Sequence, residues 1–333
     1  MRKNFLYIAK ASNPYENLAI EEYMVKLAEE ETLKNHSVFS LLLWQSDNAI
    51  VIGQNQNANR ECNFDVVKDR NIKIVRRKTG GGAVYQDLGN LNFSFVISKD
   101  IYTKEKVFEF IIKSLSTIGI NAHFSGRNDI LVGEQKFSGN AFRHFKNVSL
   151  HHGTILISTD LDLAERCLTP DKFKLKKHSV TSVKSRIVNL SNIVKINVEE
   201  VINALIKTFK ECSDGEIIVP SFDDKILSKM TSEFADEKWI YSKNIDDSLV
   251  IKTFQGNVRF HINEDNGKIG SCDYETDILE DDFLKDFFAG LSGVNIDKES
   301  LINYKDSIEI EQSFEMDILD LICEKIINDM VNK

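Results

Sequence analysis

A mixed α/β fold in two domains is what this sequence predicts, and three observations carry it. Amphipathic helical stretches alternate with short apolar runs of strand length. The chain has 333 residues and 42% hydrophobic content, enough for a large core and about two domains. From about Leu249 the pattern resets to strand-like runs followed by helices, which reads as a small separate α+β domain. The division expected is residues 1–245 and 246–333, with the boundary between Lys243 and Ser248.

In chain order, Asn13-Pro14 opens a helix over Asn17 to Glu31, with Leu18, Ile20, Tyr23, Met24 and Leu27 at helical spacing. Ser40 to Trp44 and Ile50 to Ile52 read as strands, and polar Ser46-Asp47-Asn48 between them as a hairpin loop. A short helix is expected over Phe64 to Arg70 and a strand over Ile72 to Val75. Arg76 to Gly82 has no helical option and is a loop. Ala83 to Tyr85 and Leu91 to Ile97 are strands about a turn at Asp87-Leu88-Gly89-Asn90. Val107 to Ile118 is helical. Ile130 to Val132, Gln135 to Phe137 and Gly153 to Ile157 are strands, and Leu161 to Leu168 is a helix stopped by Thr169-Pro170. Residues 171–197 form a long basic loop. Helices return at Val198 to Glu211 and Ile226 to Phe234. In the second domain, Leu249 to Phe254 and Val258 to Ile262 are strands about a turn at Gln255-Gly256-Asn257. Helices follow at Leu279 to Leu291 and Met316 to Val331.

The net charge of −9 argues against a primary role on nucleic acid or on an anionic membrane, where a basic face is expected. The apolar stretch near the start is too short for a signal-peptide core, and no run reaches bilayer-spanning length, so a cytoplasmic location is expected. The five cysteines are widely spaced with no Cys-x-x-Cys pair, which disfavours a disulfide framework or a structural zinc site.

Four features could carry chemistry. The run Gly80-Gly81-Gly82 costs backbone entropy and reads equally as a close approach of backbone to a ligand or as a surface turn. Arg76, Arg77 and Lys78 before it could supply positive charge. It is neither a Walker loop nor a dinucleotide fingerprint. Lys136, in Lys136-Phe137-Ser138-Gly139-Asn140-Ala141, could aim an ammonium at developing phosphate or carboxylate charge, with Asp129 as its anchor or as a Mg²⁺ ligand; an exposed ion-paired hairpin is the plainer reading. His151 and His152 must point to opposite faces of a strand, so they cannot share a metal. The basic loop 171–186 could close on phosphates, steer an acidic partner, or simply be solvated.

Taken in order, these motifs resemble lipoate-protein ligases that use free lipoate. The resemblance rests on Asn17-Leu18-Ala19-Ile20-Glu21-Glu22, Trp44, Gly53-Gln54-Asn55 and Arg76 through Tyr85. It continues through Asp87 to Ser94, Gly126-Arg127-Asn128-Asp129, Lys136 to Ala141, His151-His152-Gly153-Thr154 and Thr181 to Arg186. It spans roughly residues 10–190 and extends more loosely over the C-terminal domain.

The resemblance implies a biotin/lipoate-ligase-like α/β catalytic domain over 1–245 and an accessory domain over 246–333. The implied reaction joins lipoate to ATP as lipoyl-adenylate, then transfers the lipoyl group to a lysine of an acceptor. That acceptor would be an E2 lipoyl domain or the glycine-cleavage H protein. ATP and Mg²⁺ are implied, with no nucleic acid or membrane partner, in a monomer. By position, Lys136 would touch the lipoyl carbonyl and the α-phosphate. Arg77, Thr79, Gly80, Gly81, Gly82 and Val84 would line the lipoate and adenylate site. Trp44 and Glu21 or Glu22 would wall the lipoyl tunnel, and Arg143 and His152 would lie near the dithiolane. Asp129 would face Mg²⁺ and phosphate. Asn90, Ser138, Gly139, Thr154 and Ser182 would complete the binding set. The chain departs from the pattern at Gln86, where many members carry His, and at Trp239-Ile240-Tyr241-Ser242, which matches the family's tryptophan segment only faintly. A thiol-dependent acyltransferase of the same superfamily would need an activated cysteine, for which Cys167 is the candidate. A non-catalytic lipoyl-protein-binding homologue is the non-enzyme alternative.

Overall fold

The computed structural model describes residues 1–126, 128–169, 187–243, 245 and 249–331. Arg127 and the basic loop 171–186, Ser182 included, lie outside them. The described chain divides into two compact units.

The first unit comprises Met1–Ile52, Asn59–Arg77 and Ala83–Ile240. Its strands are β1 (Arg2–Ile8), β2 (Ser37–Trp44), β3 (Ala49–Ile52), β4 (Lys73–Arg76), β5 (Val84–Gln86), β6 (Asn90–Ser98), β7 (Ala122–Ser125), β8 (Asp129–Val132), β9 (Gln135–His144), β10 (Val148–Leu156) and β11 (Ile217–Ile218). Eight of them form one mixed sheet in the order β11-β1-β2-β6-β10-β9-β8-β7. A small sheet orders β4-β3-β5. The mixed α/β expectation is met.

Both faces of the large sheet are covered, so β2 reads as a nearly unbroken apolar run and every residue of β6 is buried, its polar alternate positions included. On one face lies the long helix α1 (Pro14–Leu33), entered with Pro14 in its first turn and the Asn13 side chain accepting from the Tyr15 amide. It buries Leu18, Ile20, Met24 and Val25 against Leu42, Trp44, Val96 and Leu150. The other face packs Leu41, Leu43, Phe93 and Phe95 against Phe108, Ile111 and Leu115, and against Val201, Leu205 and Phe209. Those come from a helix over Lys104–Ser116 and one over Val198–Cys212. Alternate residues of β2 thus enter separate cores, as a pleated strand requires.

One expectation fails. Ser46-Asp47-Asn48 does not close a hairpin, because β1 and β6 already occupy both edges of β2. The segment instead changes sheets: β3 pairs parallel with β4 and antiparallel with β5. Asn48 makes the turn with φ +49°. β9 also runs seven residues past the expected end at Phe137, to His144. β1 and β7 were not expected at all.

The second unit comprises Gly53–Ala58, Lys78–Gly82 and Tyr241–Lys333. Strands β12 (Leu249–Lys252), β13 (Asn257–Asp265) and β14 (Lys268–Thr276) form an antiparallel sheet. Helices over Asp282–Gly290, Lys298–Lys305 and Ser313–Ile326 cover it, burying Leu284, Phe287, Leu301, Leu319 and Ile322 against Val258, Phe260 and Ile269. Among the described residues no helix is long and apolar enough to cross a membrane.

Candidate active site

On the α1 face of the first unit, four buried polar side chains from four elements form one chain of hydrogen bonds. The Trp44 indole N–H donates to Ser94 Oγ at 2.9 Å. An indole only donates, so the single Ser94 hydroxyl hydrogen must go elsewhere, and it goes to Glu21 Oε1. His152 Nδ1 lies 2.8 Å from the same oxygen. His152 stands opposite Ser94 on β6 and Ala141 on β9, so strand register brings these groups together. A buried carboxylate is tolerable only when satisfied in this way. Three residues singled out from sequence, Glu21, Trp44 and His152, therefore do meet. Ser94, which joins them, had drawn no role, although the alternation Asn90, Asn92, Ser94 within an apolar strand marks one polar face.

Arg77 is buried in the same unit, its Nη1 donating to the Val51 carbonyl at 3.1 Å. Burial lowers its pKa to about 10, against the favourable pull of Glu21. Arg76 is fully buried and donates from Nε to the carbonyl of Trp239 at 2.9 Å, while the Trp239 indole donates back to the Arg76 carbonyl at 3.0 Å. That guanidinium closes the C-terminal end of a short helix over Glu237–Ile240.

Lys136 lies on the same sheet face. Opposite β8, the register of β9 slips between Ile130 and Leu131, so that Ile130 pairs with Ser138 and Leu131 with Lys136. Phe137 is the extra residue of this bulge and is buried in the core. The slip re-aims Lys136: its Nζ is 2.7 Å from Asp129 Oδ1 and lies over Gly139, where an added Cβ would come within 2.9 Å of it. The Gly139 amide donates to Thr154 Oγ1 at 3.3 Å. The Lys136 side chain is 25% exposed and that of Asp129 12%. Lys136, Asp129, Gly139 and Thr154 are thus brought together, and the adjacent Ser138 is fully buried. Arg143 lies farther along β9, its guanidinium 4.9 Å from the Phe145 ring.

Asn90 and Asn92 are buried side by side on β6, Asn90 Nδ2 donating to Asn92 Oδ1 at 3.1 Å. Gln86 exchanges two amide hydrogen bonds with Asn92, at 2.8 and 3.2 Å. A histidine could not make both, since its donor and acceptor nitrogens point away from each other around the ring, whereas the Gln amide aims its donor and its acceptor at the same partner. Val84, on β5, is half-buried.

In the second unit, the three glycines have different uses. A Cβ on Gly80 would lie 2.5 Å from the Leu279 carbonyl oxygen, and Gly81 holds φ +88° while donating to the Ile278 carbonyl at 3.2 Å. Gly82 is exposed, and a Cβ there would meet nothing. Two of the three therefore serve backbone packing within the unit. Buried Thr79 accepts at its carbonyl from the Gln54 amide at 2.8 Å. Asn55 donates to Asp281, and Asn57 to buried Glu275 at 2.9 Å.

Residues 13–210 match the family model for the lipoyl protein ligase A/B catalytic domain. Lipoate-protein ligase A of Bdellovibrio bacteriovorus is 33% identical over 311 residues, covering 88% of both chains. This chain belongs to the lipoate-protein ligase family. Among solved structures, P. falciparum LipL1 in complex with lipoate matches with TM-score 0.82 and 29% identity, over 96% of this chain and 99% of that one. A bi-partite lipoate protein ligase with its E2 lipoyl domain from Thermoplasma acidophilum matches with TM-score 0.62 and 27% identity, over 74% and 99%. A lipoate-protein ligase A bound with ATP matches with TM-score 0.59 and 27% identity, over 72% and 98%.

As a ligase, the chain has the biotin/lipoate-ligase-like fold expected for it. Cys167 does not offer a nucleophile. It is fully buried, its thiol 3.6 Å from the Ala164 carbonyl, and burial pushes its pKa up to about 12. A reactive cysteine needs the opposite shift, so the transferase alternative is not favoured. Among the described residues no three His, Cys, Asp or Glu side chains group as a metal site.

Proposed function

We propose that this ligase activates lipoate with ATP and transfers the lipoyl group to a lysine of an acceptor protein. The observation that carries the reading is the Lys136–Asp129 pair over Gly139, on the sheet face that also holds the buried Trp44–Ser94–Glu21–His152 chain. The relatives' lipoate, ATP and E2 lipoyl domain support the choice of substrates.

In this reading a lipoate carboxylate oxygen attacks the α-phosphorus, forming the mixed anhydride and releasing pyrophosphate. The acceptor amine then attacks the acyl carbon and AMP leaves. Neither step needs a covalent enzyme intermediate, so positioning and charge stabilisation dominate. Lys136 donates to oxygens on which negative charge builds in both steps, and Asp129 holds the ammonium in place. Trp44 and its partners wall the acyl chain with apolar surface and no unsatisfied polar atom. Mg²⁺ typically takes one or two carboxylates with phosphate oxygens, and Asp129 fits as the protein carboxylate of such an ion. The ion would neutralise phosphate charge. The partner class is an E2 lipoyl domain or H protein, and the working form a monomer.

The test is purified protein with ATP, Mg²⁺, lipoate and a lipoyl domain, read by mass spectrometry of the acceptor and by AMP release. A lipoyl adduct on one lysine, dependent on both lipoate and ATP, is expected. An unmodified acceptor with no lipoate-dependent AMP release overturns the reading.

A further inference from the structure

We propose that His151 is a positioning residue that sets the Lys136–Asp129 pair from the opposite side of the sheet, through Asn140 and Asn128. What that pair does rests on the function proposed above; the geometry does not.

His151 is fully buried on the other face from His152, with the Phe108 ring at 5.2 Å and the Phe142 ring at 5.4 Å. Its nitrogens both have partners. Tyr102 Oη is 3.3 Å from Nδ1, and Asn140 Oδ1 is 3.2 Å from Nε2. The Asn140 amide nitrogen donates to the Asn128 carbonyl at 3.1 Å and to Ser138 Oγ at 3.2 Å. Asn140 Oδ1 must therefore accept, so His151 Nε2 carries the hydrogen and Nδ1 accepts from the tyrosine hydroxyl. One neutral tautomer satisfies every group. Burial, with His152, Lys104 and His144 nearby, holds the ring's pKa well below its ordinary value, in agreement.

Asn140 in turn grips Asn128. Its backbone amide donates to the Asn128 carbonyl at 2.9 Å, and the Asn128 side chain donates to the Asn140 carbonyl at 3.1 Å. The next residue is Asp129, which holds Lys136. Space is reserved for this arrangement: a Cβ on Gly153 would fall 2.6 Å from Asn140 Oδ1 and 2.5 Å from Phe93 Cζ. A phenylalanine at 151 would suit the ring cluster as well as imidazole does. What imidazole adds is the donor that orients Asn140.

The experiment compares wild type, His151→Phe and His151→Gln, whose amide can donate to Asn140 and accept from Tyr102. In wild type, nitrogen-15 NMR of the imidazole is expected to show a single Nε2–H tautomer, unchanged from about pH 5.5 to about 8. His151→Phe is expected to speed hydrogen exchange of the Asn140 amide by roughly tenfold or more. It should lower kcat for lipoate-dependent AMP release by about tenfold, with KM for lipoate within about twofold. His151→Gln should restore both to within about threefold of wild type. A mixed or protonated imidazole in wild type, which needs no variant, overturns the proposal. So do unaltered Asn140 exchange in His151→Phe or equal defects in both variants. If wild type itself releases no AMP, the ligase reading fails, while tautomer and exchange still decide this one.

Discussion

Lys136 shows how much one residue depends on its setting. Lys136→Met withdraws the ammonium from a carboxylate only 12% exposed and should cost about 1–3 kcal/mol in urea unfolding. It should also lower kcat for AMP release by about 10²–10³-fold, the usual effect of removing one charge-stabilising donor. Glu21 acts through the fold. Glu21→Ala strands the Ser94 hydroxyl and the His152 N–H in a buried place, and should cost about 2–4 kcal/mol in urea unfolding. Cys167→Ala removes a small buried side chain and no chemistry. It should keep activity within about twofold and cost about 1 kcal/mol, where a thiol mechanism would require abolished turnover.

At the scale of the element, the β9 bulge and the glycine loop do the placing. Lys136 was legible as a cationic candidate, but its pairing was not, because a one-residue slip reverses which face a strand residue occupies. Adjacent His151 and His152 were assigned to opposite faces from periodicity alone, and they lie so. Their partners, Tyr102 for one and Glu21 for the other, come from distant segments and carry no local signal. In the triglycine run, composition could not choose between ligand approach and turn. The structure separates the three: Gly80→Ala must displace backbone carbonyls and should cost about 1–3 kcal/mol, while Gly82→Ala should change stability by less than about 0.5 kcal/mol. Equilibrium unfolding of the two variants checks this. A loss of turnover in Gly82→Ala at unchanged stability would then report on bound substrate.

For the molecule as a whole, the second unit carries a pH signature. Burial raises the Asp281 pKa from 3.8 to about 6, with the Asn55 hydrogen bond opposing. The folded state then holds this proton more tightly than the unfolded chain does. Its contribution to stability is full below about pH 4, declines as pH rises towards about 6, and is flat above. Asp281→Asn, which retains an acceptor for Asn55, should remove that slope and be the more stable protein above about pH 6. Urea midpoints for both proteins from about pH 4 to about 8 test it, and parallel curves would refute the assignment.

Local pattern was enough for most helices and strands, the mixed fold and the family, since periodicity, caps and short motifs act over a few neighbouring residues. Helix α1, for example, could be read from Asn13-Pro14 and the apolar spacing after it. Tertiary structure alone assigned the loops Gly53–Ala58 and Lys78–Gly82 to the C-terminal unit, and it alone joined Glu21 to His152 across 131 positions. Those outcomes turn on which buried donor finds which acceptor once the chain has packed, and residues so far apart leave no mark on one another's neighbourhood in sequence.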